Sequence, residues 1–383
     1  MIDNLPNGWR IKEYTKVFKD VTSGKKKIPT NDYLEKGNIA VIDQGQRYIS
    51  GYTMIKEAEN CDEPVIIFGD HTRALKYIDF NYAIGADGVK VLKNIEPNSS
   101  SKFLYYLLKN SHIPNTGYNR HFKYVKRLEF LIPPLQQQEK IVKVLDLTSN
   151  LIEKQKELLE KYDLFLKSKF IEMFGDPISN PMGWEVEKLE NLIEKNKHSL
   201  KTGPFGSSLK KEFYVENGYK IYGQEQVIKN DFTYGNYYID NDKYETLKNY
   251  SIKSDDILIS LVGTFGKIAI VPKVFEEGII NPRLMKISLN KVFYNPVFFK
   301  NLFYAESFKA QLLSFSHGGT MGILNLSILK ELKYIKPPIK LQNKFASIVE
   351  KIETIKEKEN KKLKQMNDLH NSMMNKAFKG EIK

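Results

Sequence analysis

The 383-residue chain contains two imperfect copies of one module. The first copy opens with LPNGWRIKEYTKVFKDV and the second with NPMGWEVEKLENLIEKN, so the only two tryptophans, Trp9 and Trp184, occupy the same place. Both copies close on similar segments, HFKYVKRLEFLIPP at 121–134 and NLSILKELKYIKPP at 325–338. A repeat of this length predicts two domains on one shared framework, rather than a single continuous core.

The interiors of the two copies differ more than their ends. Trp9 and Trp184 are 175 residues apart, whereas Pro133 and Pro337 are 204 apart, so the second copy is 29 residues longer between these landmarks. One framework with two unlike interiors suggests one task performed on two different targets.

Short β-branched and aromatic runs bounded by Gly, Asp and Asn predict strands in both interiors. They are GNIAVIDQGQRYIS, PVIIFGD and GVKVLKN in the first copy, and YKIYGQEQV, DDILISLVGTFGKIAIVP and RLMKISL in the second. Helical spacing of apolar residues predicts one helix in each interior, at 101–111 and at 295–313. The predicted fold class is therefore α+β, with two β-rich domains.

A Pro-Pro pair precedes a long helical pattern at the end of each module. Proline fixes φ and keeps the preceding residue out of the α region, so the helices are expected to start after Pro134 and Pro338. Steps of four and three residues mark a coiled-coil seam on each helix. The seam positions are Ile141, Leu145, Thr148, Ile152, Gln155, Leu159, Tyr162, Leu166, Lys169 and Met173, then Phe345, Ile348, Ile352, Ile355, Glu359, Lys362, Met366, Leu369 and Met373. The alternative is two unrelated amphipathic helices, each packed on its own domain.

The charge and the cysteine count limit the partners and the compartment. A net charge of +13 suits an anionic partner such as nucleic acid, although a lysine-rich composition can also reflect the base composition of a genome. Cys61 is the only cysteine, which excludes a disulfide or a cysteine-based zinc site within one chain. With no secretory signal and no apolar run of membrane-spanning length, we expect a cytoplasmic protein.

The familiar motifs of catalysis are missing. The sequence has no phosphate loop, since Gly266-Lys267 is followed by Ile268, and it has neither a GxGxxG nor a GxSxG motif. The six histidines are scattered and none of their spacings is typical of a metal site. Three hypotheses remain at this point: a DNA-reading scaffold without catalysis, an enzyme with unrecognised motifs, or a spacer that holds two protein-binding modules.

The order of the motifs resembles the specificity (S) subunit of type I restriction-modification systems over essentially the whole chain. The strongest similarities are the paired helix entries PPLQQQEKIVKVL and PPIKLQNKFASIV, with the GW openings of the two modules. Others are KTGPFGSSLKKEFY (201–214), DDILISLVGTFGKIAIVP (255–272) and VIIFGDHTRALKYIDFNYAIGADGVKVL (65–92). No motif is specific alone, but the duplicated order with this spacing is.

The resemblance implies an architecture of four segments. Target-recognition domains are expected at 1–134 and 176–338 in pseudo-twofold repeat, with antiparallel coiled-coil spacer helices at 135–175 and 339–383. It also implies that each domain reads one half of a bipartite double-stranded DNA target, while the helices set the spacing.

The resemblance further implies that this chain is not catalytic. Two methyltransferase (M) subunits would carry S-adenosylmethionine and methylate adenine. Restriction (R) subunits, expected to be two, would use ATP and Mg²⁺. This chain would bind no cofactor and no metal itself.

Polar side chains on loops after predicted strands are the candidates for DNA contact, because such groups reach base edges and phosphates. In the first module they are His71, Thr72, Arg73, Lys76, Arg120, His121 and Lys123. In the second they are Lys201, Ser207, Ser208, Lys210, Lys211, Thr264, Lys267, Arg283, His317 and Thr320. For each residue alone, a solvated surface position is the alternative.

Subunit docking is expected on the outward faces of the spacer helices near the modules. The candidates are Gln136, Gln137, Glu139 and Lys140 at the first helix, and Leu341, Gln342, Asn343 and Lys344 at the second.

Overall fold

The computed structural model describes residues 5, 7–85, 87–262, 266–314 and 326–381. The chain divides into two compact units, one formed by Met1–Glu157 with Asn360–Lys383 and the other by Leu158–Glu359. Each unit therefore combines one module with one part of each long helix.

Unit 1 contains the first module. Its elements are β1 (Arg10–Glu13), α1 (Tyr14–Val17), β2 (Phe18–Asp20), β3 (Lys27–Ile28), β4 (Ile39–Ile42), β5 (Gly51–Thr53), β6 (Val65–Gly69), β7 (Leu75–Ile78), β8 (Tyr82–Gly85), β9 (Val89–Asn94), α2 (Ser101–Asn110), α3 (Phe122–Val125), β10 (Glu129–Ile132) and the first part of α4 (Leu135–Phe174). The strands form a β1-β10 pair and two four-stranded sheets, β2-β9-β6-β7 and β3-β8-β4-β5.

Unit 2 repeats this plan. After the last part of α4 it contains β11 (Val186–Lys188), α5 (Leu189–Leu192), β12 (Leu200–Thr202), β13 (Tyr219–Tyr222), α6 (Gln224–Lys229), β14 (Tyr238–Ile239), α7 (Asn241–Leu247), β15 (Ile257–Ser260), β16 (Ile268–Ile270), β17 (Gly278–Ile280), β18 (Leu284–Ile287), α8 (Pro296–Tyr304), α9 (Glu306–Ser314), α10 (Leu326–Glu331), β19 (Lys333–Ile335) and the first part of α11 (Ile339–Phe378). Its sheets are β11-β19, β12-β18-β15-β16 and β14-β13-β17.

Strand register confirms the sequence repeat residue by residue. Ile11, two residues after Trp9, lies opposite Leu131, two residues before Pro133. Val186, two residues after Trp184, lies opposite Ile335, two residues before Pro337. The order β12-β18-β15-β16 likewise repeats β2-β9-β6-β7, and β14-β13-β17 repeats β5-β4-β8. The α+β class with two related domains is confirmed.

Two predicted elements differ from the structure. The segment GQEQV begins helix α6 rather than forming strand, and the Gln226 side chain stabilises this helix start by accepting a hydrogen bond from Gly223 N at 2.9 Å. The helix predicted at 295–313 is two helices, α8 and α9, separated by an extended Ala305. In one straight helix Phe308 would lie about 140° around the axis from Phe303. The break lets both rings enter the core, 5.7 Å apart.

The Pro-Pro pairs precede two helices of 40 residues each, α4 and α11, as predicted. In unit 1 the first part of α4 packs on the last part of α11, and Ile141 and Leu145 share a core with Met374 and Phe378. In unit 2 the last part of α4 packs on the first part of α11, and the rings of Phe170 and Phe345 lie 5.5 Å apart. The helices are therefore antiparallel within each unit, which excludes the alternative of unpaired amphipathic helices.

The seam on α11 departs from the predicted positions. Leu369 is 51% exposed, whereas the next residue, His370, is buried. On a straight helix Leu369 lies about 120° around the axis from Phe345, but His370 lies within about 20° of it. The buried positions of α11 are therefore spaced at about 3.6 residues per turn and not at the strict 3.5 of the predicted heptads. In the described ranges, no helix has an apolar stretch that would cross a bilayer.

Candidate nucleic-acid interface

In unit 1, two candidate clusters that are separate in the sequence form one site. Asp70 follows β6 and is buried. Its backbone oxygen accepts a hydrogen bond from His121 N at 2.8 Å, and its Oδ1 accepts one from Phe122 N at 2.8 Å. His121 Nδ1 also lies 2.9 Å from the Asp70 backbone oxygen. The loop at 71–73 and the segment at 120–123 are thus joined through Asp70.

Gln44, which sequence reasoning did not select, ties a third loop to this site. Its Oε1 accepts a hydrogen bond from His71 N at 3.2 Å, its backbone oxygen accepts one from Thr72 Oγ1, and its Nε2 donates to Asp87 O at 3.0 Å. A side chain at Gly69 would overlap Thr72 Oγ1 and the Gln44 backbone oxygen, so only glycine permits this approach. The ends of β4 and β6 and the β8–β9 loop therefore meet at one edge.

The predicted residues of unit 1 differ in their access to solvent. Thr72, Arg120 and Lys123 are exposed, and His71 and Arg73 are half-buried. Arg73 adopts a left-handed backbone, with φ of 61°, and its guanidinium donates to Ile113 O at 3.2 Å.

Lys76 and His121 are buried instead of lying at a loop tip. Lys76 Nζ donates to Asp43 O at 2.8 Å and lies 3.5 Å from its carboxylate. Burial lowers the pKa of Lys76, and the nearby Asp43 charge opposes that effect. Both side chains hold loops together in this structure, so neither presents its polar group at the surface.

The same sheet edge is built in unit 2. Gly203 N donates to Leu284 O at 2.9 Å, and Leu261 N donates to Arg283 O at 3.0 Å. A side chain at Gly203 would overlap the backbone of Asn281, so the end of β12 closely approaches the loop between β17 and β18.

Gln224 is the counterpart of Gln44. It lies two residues after the end of β13, as Gln44 does after β4, and its Nε2 donates to Val262 O beyond β15. The two glutamines make equivalent hydrogen bonds in the two modules. Gln44 joins the end of β4 to the loop after β6, and Gln224 joins the end of β13 to the loop after β15.

Most described candidates of unit 2 are exposed around loops. Ser207, Ser208, Lys210, Lys211, Lys267 and Arg283 are exposed. Lys201 lies within β12 opposite Lys286, and its ammonium group lies 4.2 Å above the Tyr250 ring, so the structure does not place it at a loop tip. Thr264, His317 and Thr320 lie outside the described residues.

The proposed docking residues fall into two groups. Gln136, Glu139, Lys140, Asn343 and Lys344 are exposed, and Gln137 and Leu341 are half-buried. Gln342 does not lie on the outward face, because its side chain is 0% exposed. Its Oε1 accepts from Asn295 N at 2.8 Å, and its Nε2 donates to Phe293 O at 3.1 Å and to Pro337 O at 2.7 Å.

Gln138 repeats this arrangement in unit 1, and sequence reasoning missed it. Its Oε1 accepts from Ser100 N at 2.9 Å, and its Nε2 donates to Asn98 O at 2.9 Å and to Pro133 O at 2.8 Å. Ser100 and Asn295 are the N-caps of α2 and α8. Each glutamine therefore joins three segments: the Pro-Pro joint, the spacer helix and the module's own helix. We call the pair the joint glutamines.

Among the described residues, no group of three or more His, Cys, Asp or Glu side chains has an arrangement that could hold a metal ion. The site consists of loop side chains on two sheets, with an excess of lysine and arginine. Such an arrangement can contact phosphates and base edges.

The chain matches the same protein family twice along its length. A family model for the type I restriction modification DNA specificity domain matches residues 6–161 and again 181–365. The chain is 28% identical over 326 residues to a putative type I restriction enzyme specificity subunit of Haemophilus influenzae, which covers 81% of this chain and 78% of that protein.

Two solved structures are similar along nearly their whole length. The type I restriction-modification S subunit from M. genitalium gives a TM-score of 0.53 at 18% identity and covers 98% of both chains. A chain from a study of complex assembly and conformational transition of the type I R-M system gives 0.55 at 14% identity and covers 99% of both. At these identities the likeness shows the fold.

Proposed function

Because the chain belongs to the type I restriction-modification DNA specificity family, and is a specificity subunit rather than a catalytic chain, we propose that each module reads one half of a bipartite double-stranded DNA target. The observation that carries this proposal is the sheet edge built twice, once around Gln44 and Asp70 and once around Gln224 and Gly203. Equivalent edges with different loop residues suit two different half-sites on one framework.

Charge supports DNA as the ligand. A net charge of +13 supplies affinity for phosphates that does not depend on sequence, since neutralised phosphates release counterions. Exposed Arg120 and Lys123 in the first module, with Lys210, Lys211 and Arg283 in the second, are the proposed contacts at loops. Ser207, Ser208 and Lys267 are exposed as well and are further proposed contacts, whereas Lys76 and His121 hold loops together.

The spacer helices are proposed to set the separation of the half-sites. Each helix has 40 residues, or about 60 Å at 1.5 Å per residue. Half-sites read by paired domains commonly lie about one helical turn of DNA apart, near 34–36 Å. The joint glutamines support this role, because they bind each module to the first turn of the long helix that follows it.

Partner subunits are proposed to dock on the helices. The exposed residues Gln136, Glu139 and Lys140 of unit 1, and Asn343 and Lys344 of unit 2, lie at the helix entries. In unit 1, helix α4 also exposes Leu147 and Leu151 one helical turn apart, and neighbouring exposed apolar side chains suit a protein–protein contact. We propose two M subunits, which would supply S-adenosylmethionine, and two R subunits, which would supply ATP and Mg²⁺, in the cytoplasm.

Reconstitution with the M subunit of the same organism tests this function. We expect a complex of two M subunits with one copy of this chain, which methylates adenine in a two-part motif when S-adenosylmethionine is added. The chain alone and the M subunit alone serve as controls. Methylation by this chain alone, or a reconstituted complex without any sequence preference, would contradict the proposal.

A further inference from the structure

Tyr118 is the large aromatic side chain of unit 1 that is least covered. It lies on the loop between α2 and α3 and is 89% exposed, although most aromatic residues of this unit lie in its cores. Exposed tyrosine at a rigid position is typical of recognition surfaces, because its ring offers contact area with few rotatable bonds.

The loop that carries Tyr118 is held by its own hydrogen bonds. Gly117 has φ of 76°, and its N–H donates to Asn115 Oδ1 at 3.2 Å. Asn119 Nδ2 donates to Thr116 O at 2.5 Å, and Thr116 N donates to His121 Nε2 at 3.3 Å. His121 is itself bound to Asp70, so the loop is tied to the rest of the module, which limits the conformational entropy lost on binding.

Tyr118 stacks on His71, a residue of the neighbouring loop. The two rings lie 4.9 Å apart at an angle of 12°. His71 is fixed by its backbone N–H to Gln44, and its Nδ1 is buried without a hydrogen-bond partner among the described residues. The flat face of the imidazole, rather than this nitrogen, is therefore what His71 supplies to the site.

We propose that Tyr118 is a specificity-determining residue whose ring contacts a base in the half-site read by the first module, and that His71 positions it. The proposal rests on the proposed function. The uncharged ring neutralises no phosphate, but it can pack on a base edge such as the methyl group of thymine, and only the hydroxyl could donate to a phosphate oxygen. Arg120, exposed two residues further on, supplies the adjacent phosphate contact.

The experiment compares Tyr118→Ala, Tyr118→Phe and Arg120→Ala in the complex with M subunits. Binding is measured on duplexes that carry each single base-pair change of both half-sites, and on the intact target over a range of salt concentrations. For Tyr118→Ala we expect discrimination at one position of one half-site to fall about 5- to 150-fold, with an unchanged salt slope. For Arg120→Ala we expect a uniform loss and a salt slope lower by about 0.9.

Tyr118→Phe separates the ring from the hydroxyl, and two further variants, both of His71, separate contact from positioning. Tyr118→Phe should keep the discrimination, because the ring carries it. His71→Ala should lose part of it at the same base position, and His71→Phe should restore it, because a flat ring is retained. A Tyr118→Phe variant as defective as Tyr118→Ala would overturn the ring contact.

Other outcomes also decide the matter. Equal losses on all duplexes, or loss of M-subunit binding, would show that Tyr118 contacts phosphate or protein and not a base. A wild-type complex that prefers no sequence would refute the proposed function itself, whereas a selective wild type with an equally selective Tyr118→Ala variant would refute only this inference.

Discussion

At the residue scale, His370 is buried in the helix contact of unit 1, where the heptad pattern predicts its neighbour Leu369. His370 Nδ1 lies 2.7 Å from Thr148 Oγ1, within hydrogen-bond distance, and this hydroxyl also lies 3.1 Å from the backbone oxygens of Val144 and Leu145. Burial lowers the pKa of His370, and the nearby positive charge of Lys109 lowers it further. The helix seam therefore contains a side chain that packs best when neutral.

This burial predicts a loss of stability in mild acid. Since folding lowers the pKa of His370 below its ordinary value of 6.5, the unfolded state binds the proton more readily, and stability falls as the pH drops through that region. Urea unfolding at pH 7.5 and 5.5 should show a smaller pH dependence for His370→Asn than for the wild type. The exposed His112→Asn is the control and should behave as the wild type. Identical pH dependence in all three proteins would refute this role.

At the scale of elements, the joint glutamines explain how each module keeps a fixed orientation relative to the helix that follows its Pro-Pro pair. Proline ends the module and starts the helix, but it does not by itself determine the angle between them. Gln138 and Gln342 supply that constraint, because each binds the N-cap of a module helix and the carbonyl of its own proline joint. The same side chain performs the same task 204 residues apart.

Replacing a joint glutamine should lower the stability of the fold and relax the requirement for one length of DNA between the half-sites. Gln138→Leu removes the buried hydrogen bond to Pro133 O and the partly buried ones to Ser100 N and Asn98 O, and a buried polar group left without a partner costs about 1–3 kcal/mol, so we expect about 2 kcal/mol of destabilisation. Gln136→Leu, at an exposed position two residues earlier, is the matched control and should cost less than about 0.5 kcal/mol.

Two readouts test this prediction. Urea denaturation gives the free energy of unfolding, and methylation mapping of the surviving complex shows whether one spacer length is still required. Equal stability of Gln138→Leu and Gln136→Leu would contradict a structural role for the joint.

At the scale of the whole molecule, we expect that lengthening both long helices lengthens the DNA spacer between the two half-sites. Insertion of seven helix-forming residues after Glu157 and another seven after Glu359 preserves the heptad phase of both helices. Each helix grows by about 10.5 Å, which corresponds to about three base pairs. Methylation mapping should return both original half-sites with a spacer about three base pairs longer. An altered base in either half-site would count against the spacer proposal.

The sequence by itself determined the two modules, the α+β class, the starts of both long helices and most of the strands. These features follow from local rules, since periodicity, proline and turn residues act over a few neighbours. The repeat extended that reach, because landmarks such as Trp9 and Pro133 recur and so align the paired strands β1 and β10 with β11 and β19.

Only the tertiary structure decided which polar side chains face inward and which loops meet. Gln342 and Lys76 are of residue types that usually lie at the protein surface. Both are buried here, because groups distant in sequence satisfy their hydrogen bonds. Asp70 joins loops 50 residues apart, and the stack of Tyr118 on His71 exists because that junction brings the two rings together. Long-range contacts of this kind depend on the packing of whole sheets, so no local pattern in the sequence records them.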